Sequence, residues 1–166
     1  MGIPRVDPTA GSPLLRIGAR LTGNTPGRWL TRRVAPRLDR QLLRLSRGRV
    51  SSAVVTPELL LFHTGSRTGR PRSTPLTYFT DGDRVIVVAS NYGGSRHPAW
   101  YYNVLAQPRV TIAAGGYRGT FIGQEMTGVE RDRLWNLAVT FIPSYAQYER
   151  LAGDRMIPVL AFTETD

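Results

Sequence analysis

The sequence predicts an α+β fold built around an antiparallel barrel, and three observations support it. Six short segments are rich in β-branched or aromatic residues and are bounded by turn residues, which is typical of strands. Helical segments are interspersed without a repeating strand–helix–strand unit, so a parallel sheet is not expected. The chain has 166 residues, 41% of them hydrophobic, which suits one domain with a sizeable core.

The N-terminal part is predicted to lie outside the barrel. Residues 1–25 are rich in Pro, Gly and Thr without sustained periodicity, which indicates a flexible or extended arm. Residues 26–50 predict a basic amphipathic helix, because leucine and valine recur at helical spacing among arginines and Pro26 suits a first helical turn. Pro36 should kink or split this helix. Residues 51–166 then form the barrel domain.

The barrel domain follows in a definite order of elements. Its six predicted strands are Leu59–Thr64, Thr74–Phe79, Arg84–Ala89, Arg109–Ala113, Tyr117–Met126 and Ile157–Phe162. Its three predicted helices are His97–Ala106, Glu130–Phe141 and Tyr145–Leu151. The Asp81-Gly82-Asp83 tripeptide predicts a hairpin between the second and third strands.

The charge is concentrated near the N-terminus. All 22 basic residues are arginines and the net charge is +10; residues 1–50 hold 11 arginines against two aspartates. The predicted helix at 26–50 therefore has two interpretations. It packs its leucine stripe on the domain, or it lies on an anionic membrane surface. Nucleic acid is disfavoured as a partner, because aromatic residues do not interleave with these arginines.

The composition excludes several kinds of chemistry. The chain has no cysteine and two histidines, so disulfides, thiolate sites, a cysteine nucleophile and a histidine-rich metal site are excluded, and no metal is expected. No segment resembles a signal peptide or a membrane span. A cytoplasmic protein is expected, and the membrane interpretation of residues 26–50 would place it at the inner face of the plasma membrane.

The segment from His63 to Arg72 is the strongest candidate for a binding site. Two glycines allow a tight turn with exposed backbone N–H groups, and serine, threonine and three arginines supply further donors. This pattern predicts an anion cradle, although a basic surface hairpin has the same composition. It is not a P-loop, because lysine is absent and no long helix follows.

Three further groups are weaker candidates. The small residues 89–94 follow a predicted strand and suit a cofactor wall, or simply a flexible loop. Residues 97–103 open a helix with three aromatic rings, which by default are core, and Asn103 could offer its amide to a ligand. Tyr145 and Tyr148 would share a helix face, where phenols either donate to a developing oxyanion or pack on the barrel.

The motifs resemble the deazaflavin-dependent nitroreductase family of actinobacteria. The resemblance is carried by Leu59–Arg72 (LLLFHTGSRTGRPR), Pro75-Leu76, Val87–Ser90, Pro98–Tyr101, Asn103-Val104 and Pro108 with Val110. It implies a split β-barrel related to FMN-binding oxidoreductases. It also implies coenzyme F420, a deazaflavin with a phosphate and a polyglutamate tail, as the cofactor.

The resemblance assigns site residues position by position. Those that would hold the phosphate and glutamates are Ser66, Arg67, Thr68 and Arg72. Those that would run along the ring are Ser73, Thr74, Pro75, Leu76 and Thr77. Those that would enclose the deazaflavin are Val88, Ala89, Ser90, Asn91, Ala99, Trp100, Tyr101, Tyr102 and Asn103. The predicted catalytic residues are Ser90, Tyr145 and Tyr148, of which Tyr145 would also contact the cofactor.

The implied reaction is hydride transfer from reduced F420 to a quinone, a nitro compound or an unsaturated lactone. Thr77 and Ile142 stand where the best-known nitroreductase of the family has aromatic residues, which disfavours bicyclic nitroimidazoles and favours quinones. Two other functions stay open: an FMN-dependent oxidoreductase of related fold, and a carrier that binds the deazaflavin without turnover. The sequence leaves the oligomeric state open.

Overall fold

A computed structural model of the protein describes residues 2–10 and 56–165. Seven strands form one antiparallel sheet in the order β2-β1-β5-β6-β7-β4-β3. The strands are β1 (Glu58–Thr64), β2 (Pro71–Thr77), β3 (Phe79–Asp81), β4 (Arg84–Val88), β5 (Arg109–Ala114), β6 (Tyr117–Glu125) and β7 (Val159–Thr165). The helices of the described residues are α1 (Ala99–Ala106), α2 (Gly128–Phe141) and α3 (Ser144–Ala152), with a 3-10 turn at Asn91–Gly93.

The sheet curls without closing. The edge strand β2 contacts β4, but these two strands are not hydrogen-bonded neighbours. The predicted α+β split barrel is therefore confirmed as an open, strongly curled sheet with helices packed on it. Because β2 lies at an edge, it tolerates Pro71 and Pro75, whose nitrogens cannot donate to a ladder.

Both faces of the sheet are buried, and the strand period explains how. Val85 and Val87 of β4 join a core cluster with α1, whereas Ile86 and Val88 join a second cluster with α2 and α3. β7 alternates in the same way. Residues along a strand point to opposite faces in turn, so a continuous apolar run serves two cores. α1 lies against β1 and β6.

One predicted strand is wrong in its extent. The sequence predicts a single strand over Thr74–Phe79, but the structure has β2 ending at Thr77 and β3 beginning at Phe79, and the two lie at opposite edges of the sheet. The chain changes edge at Tyr78, whose N–H donates to the Pro57 carbonyl rather than to a strand partner. The other five predicted strands and the three helices are confirmed within two residues at most ends. The hairpin at Asp81-Gly82-Asp83 is confirmed by the pairing of Asp81 with Arg84.

Residues 2–10 form no regular secondary structure, turn at Pro8-Thr9 and pack against the β3 edge. The Thr80 N–H donates to the Val6 carbonyl at 2.9 Å, and the Tyr78 hydroxyl donates to the Pro4 carbonyl at 3.1 Å. Burial raises the pKa of Tyr78 to about 12. This part of the predicted flexible arm is thus bound to the barrel domain, because it carries apolar residues that reach the core.

The predicted helix at residues 26–50 lies outside the described residues. Among the described helices, none is long and apolar enough to span a membrane.

Candidate functional site

The cradle loop, residues 65–70, joins β1 to β2 and is folded on itself. The Gly65 N–H donates to the Arg70 carbonyl at 2.9 Å, and the N–H groups of Thr68 and Gly69 both donate to the Gly65 carbonyl. A Cβ on Gly65 would lie 2.7 Å from the Thr68 hydroxyl oxygen, so a larger residue there would require the Thr68 side chain to rotate. The expectation that this loop exposes its backbone N–H groups is therefore wrong for these three. Its side chains remain to bind an anion.

A buried network fixes the cradle loop to α1. The Ser66 N–H donates to Asn103 Oδ1 at 2.8 Å, and because a backbone N–H can only donate, the orientation of the Asn103 amide is set. Asn103 Nδ2 then donates to His63 Nδ1 at 3.1 Å, so His63 carries its proton on Nε2 and donates to the Thr74 hydroxyl at 3.0 Å. The Asn103 amide thus joins α1 to the cradle loop and to β1.

A cleft of about 1130 Å³ opens between the cradle loop and the start of α1. Ten predicted cofactor-binding residues line it: Ser66, Arg67, Thr68, Arg72, Ser73, Thr74, Ala99, Trp100, Tyr102 and Asn103. Six further lining residues fall outside that prediction: Phe62, His63, Gly65, Pro71, Arg96 and His97. The structure therefore brings the cradle and the aromatic turn of α1 together around one space.

The electrostatics of the cleft are one-sided. Arg67, Arg72 and Arg96 line it, and its lining includes no carboxylate. Within the described part of the chain, the ion pairs use other arginines, so these three guanidiniums have no acidic partner. Unpaired guanidiniums around one cavity favour a ligand with several negative charges, since each can grip a phosphate or carboxylate through two N–H groups.

The aromatic wall of the cleft consists of rings on α1 together with His97, two residues before the helix. Trp100 is largely buried, whereas the Tyr102 ring is 50% exposed and contacts His97 and Tyr101 edge to face. The Tyr101 hydroxyl turns away and donates to Glu125 Oε2 at 2.8 Å. Burial, reinforced by Glu125, raises the pKa of Tyr101 to about 12, so this phenol stays protonated. The wall offers flat apolar surface beside the arginines.

The 90–97 loop borders the cleft at His97. Asn91 and Tyr92 adopt positive φ angles of 47° and 53°, which non-glycine residues rarely do. Gly93 seats the loop on α3, because a Cβ there would lie 2.7 Å from both Leu151 Cβ and the Tyr148 carbonyl oxygen. Such backbone strain persists only where surrounding contacts hold it, and it is frequent at functional sites.

One arginine outside the cleft lining holds this loop. Arg155 donates from Nη2 to the Ser90 carbonyl at 2.7 Å and from Nε to the Gly94 carbonyl at 2.8 Å. Its Nη1 lies 3.1 Å from His97 Nδ1. Burial lowers the pKa of His97, the Arg155 charge lowers it further, and Glu125 opposes them. Sequence reasoning missed Arg155, because 58 residues separate it from His97 and no motif surrounds it.

The predicted catalytic tyrosines pack beneath the 90–97 loop. Tyr145 and Tyr148 are both buried, with ring centroids 6.0 Å apart, and Tyr148 meets Tyr92 edge to face at 5.8 Å. Burial raises the pKa of Tyr145, with smaller contributions from Tyr148 and Tyr92, so its phenol stays protonated. Neither tyrosine is part of the cleft lining, and their catalytic role stays a prediction.

The remaining predicted residues also lie off the cleft wall. Those on strands or directly after one are half-buried or buried: Pro75, Leu76, Thr77, Val88 and Ala89. Ser90 and Asn91 are half-buried in the 90–97 loop. Among the lining residues outside the predicted cofactor set, His63 begins the His63–Arg72 segment that the sequence indicated, and it continues the buried Leu59 and Leu61 face of β1 with a polar side chain. Arg96 had no comparable signal in the sequence.

No group of three or more histidines and acids within residues 2–10 and 56–165 is placed to hold a metal ion. The fold and the cleft together define an α+β protein with a curled antiparallel sheet and a cleft suited to an anionic, partly aromatic ligand.

The comparisons place this chain within a family of that class. The family model described as F420H(2)-dependent quinone reductase matches residues 35–164, so the chain belongs to that family. A relative from Mycobacterium tuberculosis (strain ATCC 25618 / H37Rv), named F420H(2)-dependent quinone reductase, is 36% identical over 144 residues, which cover 82% of this chain and 96% of the relative.

Two solved structures are also similar. One, described as an F420-H2 dependent reductase, is 36% identical with a TM-score of 0.59 and covers 64% of this chain and 93% of its own. The other, described as a domain-swapped dimer, is 32% identical with a TM-score of 0.60 and covers 83% of this chain and 99% of its own.

Proposed function

We propose that this chain is an F420H2-dependent quinone reductase that transfers a hydride from reduced coenzyme F420 to a quinone. The observation that carries the proposal is the cleft of a member of this family, lined by three unpaired arginines and no carboxylate. A ligand with a phosphate and a glutamate tail matches that charge, whereas FMN, with one phosphate, would leave part of it uncompensated.

The donor set of the cleft fits this cofactor. Arg67 and Arg72 would hold its phosphate and carboxylates, with the Ser66 and Ser73 hydroxyls as further donors. Trp100 and Tyr102 would pack on its flat ring system. When bound, the reduced deazaflavin would supply two electrons as a hydride, and the quinone would gain that hydride and one proton to become a quinol.

The residues of the chain would contribute orientation and hydrogen bonds to this reaction. Ser90 and Tyr145 are our candidates to donate to the quinone oxygens, with Tyr148 beside them. The Tyr145 phenol can act as a donor because it is protonated at physiological pH, as an ordinary tyrosine is, and burial raises its pKa further. The proton itself would come from solvent or a phenol. No nucleophile is needed, which agrees with a chain that lacks cysteine and lysine.

Peripheral attachment to an anionic membrane is part of the same proposal. Quinones such as menaquinone are lipophilic, and residues 26–50 combine arginines with a leucine stripe. Deleting residues 1–50 is too disruptive as a test, because residues 2–10 pack on the barrel domain. Replacing three arginines between residues 26 and 50 by glutamine should instead release the full-length protein from anionic vesicles and leave its binding to neutral vesicles unchanged.

The decisive experiment measures anaerobic oxidation of reduced F420 by the purified full-length protein, with menaquinone in detergent as acceptor. We expect turnover with menaquinone, and a parallel panel with a nitroaromatic compound and an unsaturated lactone defines the acceptor range. Tight F420 binding without turnover on any acceptor would identify a carrier. Tighter binding of FMN than of F420 in equilibrium titrations would overturn the cofactor assignment.

A further inference from the structure

His97 and Arg155 form a unit at the mouth of the cleft whose hydrogen bonds have only one consistent arrangement. An arginine side chain has donors and no acceptor, so the contact between Arg155 Nη1 and His97 Nδ1 at 3.1 Å requires Nδ1 to accept. His97 Nδ1 is therefore unprotonated and the ring is neutral. Its proton is on Nε2.

The Nε2–H group of His97 is available to a ligand. His97 lines the cleft and is half-buried. Among the hydrogen bonds of the described residues, none uses His97 Nε2, whereas the Nε2 of His63 is already bonded to Thr74. Both histidines of the chain thus carry their proton on Nε2. The Nε2–H group of His63 donates within the protein, whereas that of His97 is left for a ligand in the cleft.

Arg155 also fixes where His97 stands. The same guanidinium donates to the Ser90 and Gly94 carbonyls, so it bonds to the 90–97 loop at its start, middle and end. The Asn91 side chain closes the loop by donating from Nδ2 to the Arg96 carbonyl at 2.8 Å. A loop with two strained non-glycine residues is in this way held in one conformation.

We propose that His97 is a ligand-binding residue that donates from Nε2–H to an oxygen of the cofactor in the cleft, and that Arg155 is the positioning residue that sets its tautomer and place. The identity of the cofactor as F420 rests on the proposed function. The tautomer does not, because it follows from contacts within the protein.

The charged and titratable groups around His97 come from four elements. Arg155 faces it from the segment between α3 and β7, Glu125 from β6, and Tyr101 and Tyr102 from α1. Arg96 precedes it and lines the same cleft. Glu125 is the acid that favours a charged imidazole, and its carboxylate is bonded to Tyr101. Burial is the main cause of the lowered pKa of His97 and the Arg155 charge adds to it, so removing Arg155 should make His97 easier to protonate.

The first test is the tautomer of His97 in the ligand-free full-length protein, measured by long-range proton–nitrogen NMR correlations on nitrogen-15-labelled histidine. The chain has only two histidines, so the His97→Gln spectrum assigns both. We expect a protonated Nε2 and a bare Nδ1 in the wild type. We expect mixed tautomers and a higher midpoint of protonation in Arg155→Met, with Arg155→Lys intermediate. A protonated Nδ1 in the wild type, or an unchanged tautomer in both Arg155 variants, would overturn the positioning role.

The second test is F420 affinity by equilibrium titration. A glutamine amide can reach the position of Nε2, whereas an asparagine amide reaches only that of Nδ1. We therefore expect His97→Asn to bind about tenfold more weakly than the wild type, the value of one hydrogen bond, and His97→Gln to recover most of that loss. Equal affinities for wild type and His97→Asn would overturn the donor role while leaving the proposed function intact. Failure of the wild type to bind F420 would overturn the proposed function and the donor role together, and the NMR result would still decide the tautomer.

Discussion

Two groups of arginines in this molecule have the same chemistry and opposite surroundings. In the cleft, Arg67 and Arg72 have no acidic partner among the described residues. On α2, Arg133 is bonded to both Asp81 and Glu130, at 2.7 and 2.9 Å. The paired group joins the β3–β4 hairpin to the start of α2 and satisfies its own charge. The unpaired group lines the cleft and leaves its charge for a ligand, so the lack of an acidic partner and a position on the cleft wall together indicate a binding arginine.

The largest effect should come from removing charge in the cleft. Each charge-assisted hydrogen bond to a ligand is worth about 1.5–3 kcal/mol, so the Arg67→Gln/Arg72→Gln double variant should bind F420 at least about a hundredfold more weakly. Its thermal midpoint should change little, because both side chains are exposed and unpaired. Equilibrium titration with F420 at low and at high salt measures the loss of affinity and the extent to which salt screens the attraction between the cleft and the cofactor.

Arg70→Gln is the matched control for this prediction. Arg70 belongs to the cradle loop and is exposed, but it is not part of the cleft lining. The control should keep wild-type affinity. A loss in Arg70→Gln as large as in the double variant would mean that net charge, and not the cleft, governs binding.

The sequence alone indicated Arg67 and Arg72, which line the cleft, and their role in binding stays a prediction. Glycines and arginines around Arg67 are local signals, and the strand period placed β1 and β4 correctly. The change of sheet edge at Tyr78 had no such signal. The residues of β2 and β3 all favour an extended backbone, and only the curl of the sheet places the two strands at opposite edges. The aromatic pairs were ambiguous for a physical reason: the same rings suit a ligand or a core, and Tyr145 and Tyr148 lie buried.

The next largest effect should come from a steric clash that involves no charge. Gly93→Ala places a Cβ 2.7 Å from Leu151 Cβ and the Tyr148 carbonyl, in a residue with φ of +71°. We expect a loss of about 2–4 kcal/mol in the free energy of unfolding, from left-handed backbone strain together with overpacking. Gly69→Ala has φ of +62° and open space around its Cβ, so it should lose only about 1–2 kcal/mol.

Chemical denaturation of both variants measures the difference, which isolates the steric contact between the 90–97 loop and α3. Gly93→Ala leaves the cleft arginines in place, so the salt dependence of its residual F420 binding should match that of the wild type. Equal losses of stability in the two variants would show that the loop is not seated on α3 as described.

A smaller effect should come from the paired arginines. Arg133 is 45% exposed, and exposed ion pairs contribute about 0.2–1 kcal/mol each. Arg133→Gln should therefore lower the free energy of unfolding by about 1 kcal/mol and leave F420 affinity unchanged. Arg150→Gln, an exposed arginine on α3 outside these ion pairs, should change stability by less than about 0.5 kcal/mol. A change in F420 affinity in Arg133→Gln would contradict the separation of the cleft arginines, which bind the cofactor, from the paired arginines, which stabilise the fold.

The smallest effect is the acid response of the same ion pairs. Hydrogen bonds from Arg133 and Arg84 hold the pKa of Glu130 at about 2, below its ordinary value of 4.5, and the pKa of Asp81 is lowered mainly by Arg133. A carboxylate whose pKa is depressed in the folded state stabilises the fold above its unfolded pKa, and the contribution is lost as the pH falls through the folded value. Thermal unfolding between pH 5 and pH 2 should therefore show a stability decline that is shallower in Glu130→Gln, since glutamine has no proton to gain.

High salt should flatten the wild-type profile toward that of the variant, because these charges are near the surface. Identical pH profiles for wild type and Glu130→Gln would mean that this carboxylate is not paired in solution, and the contrast with the cleft arginines would then rest on Asp81 alone.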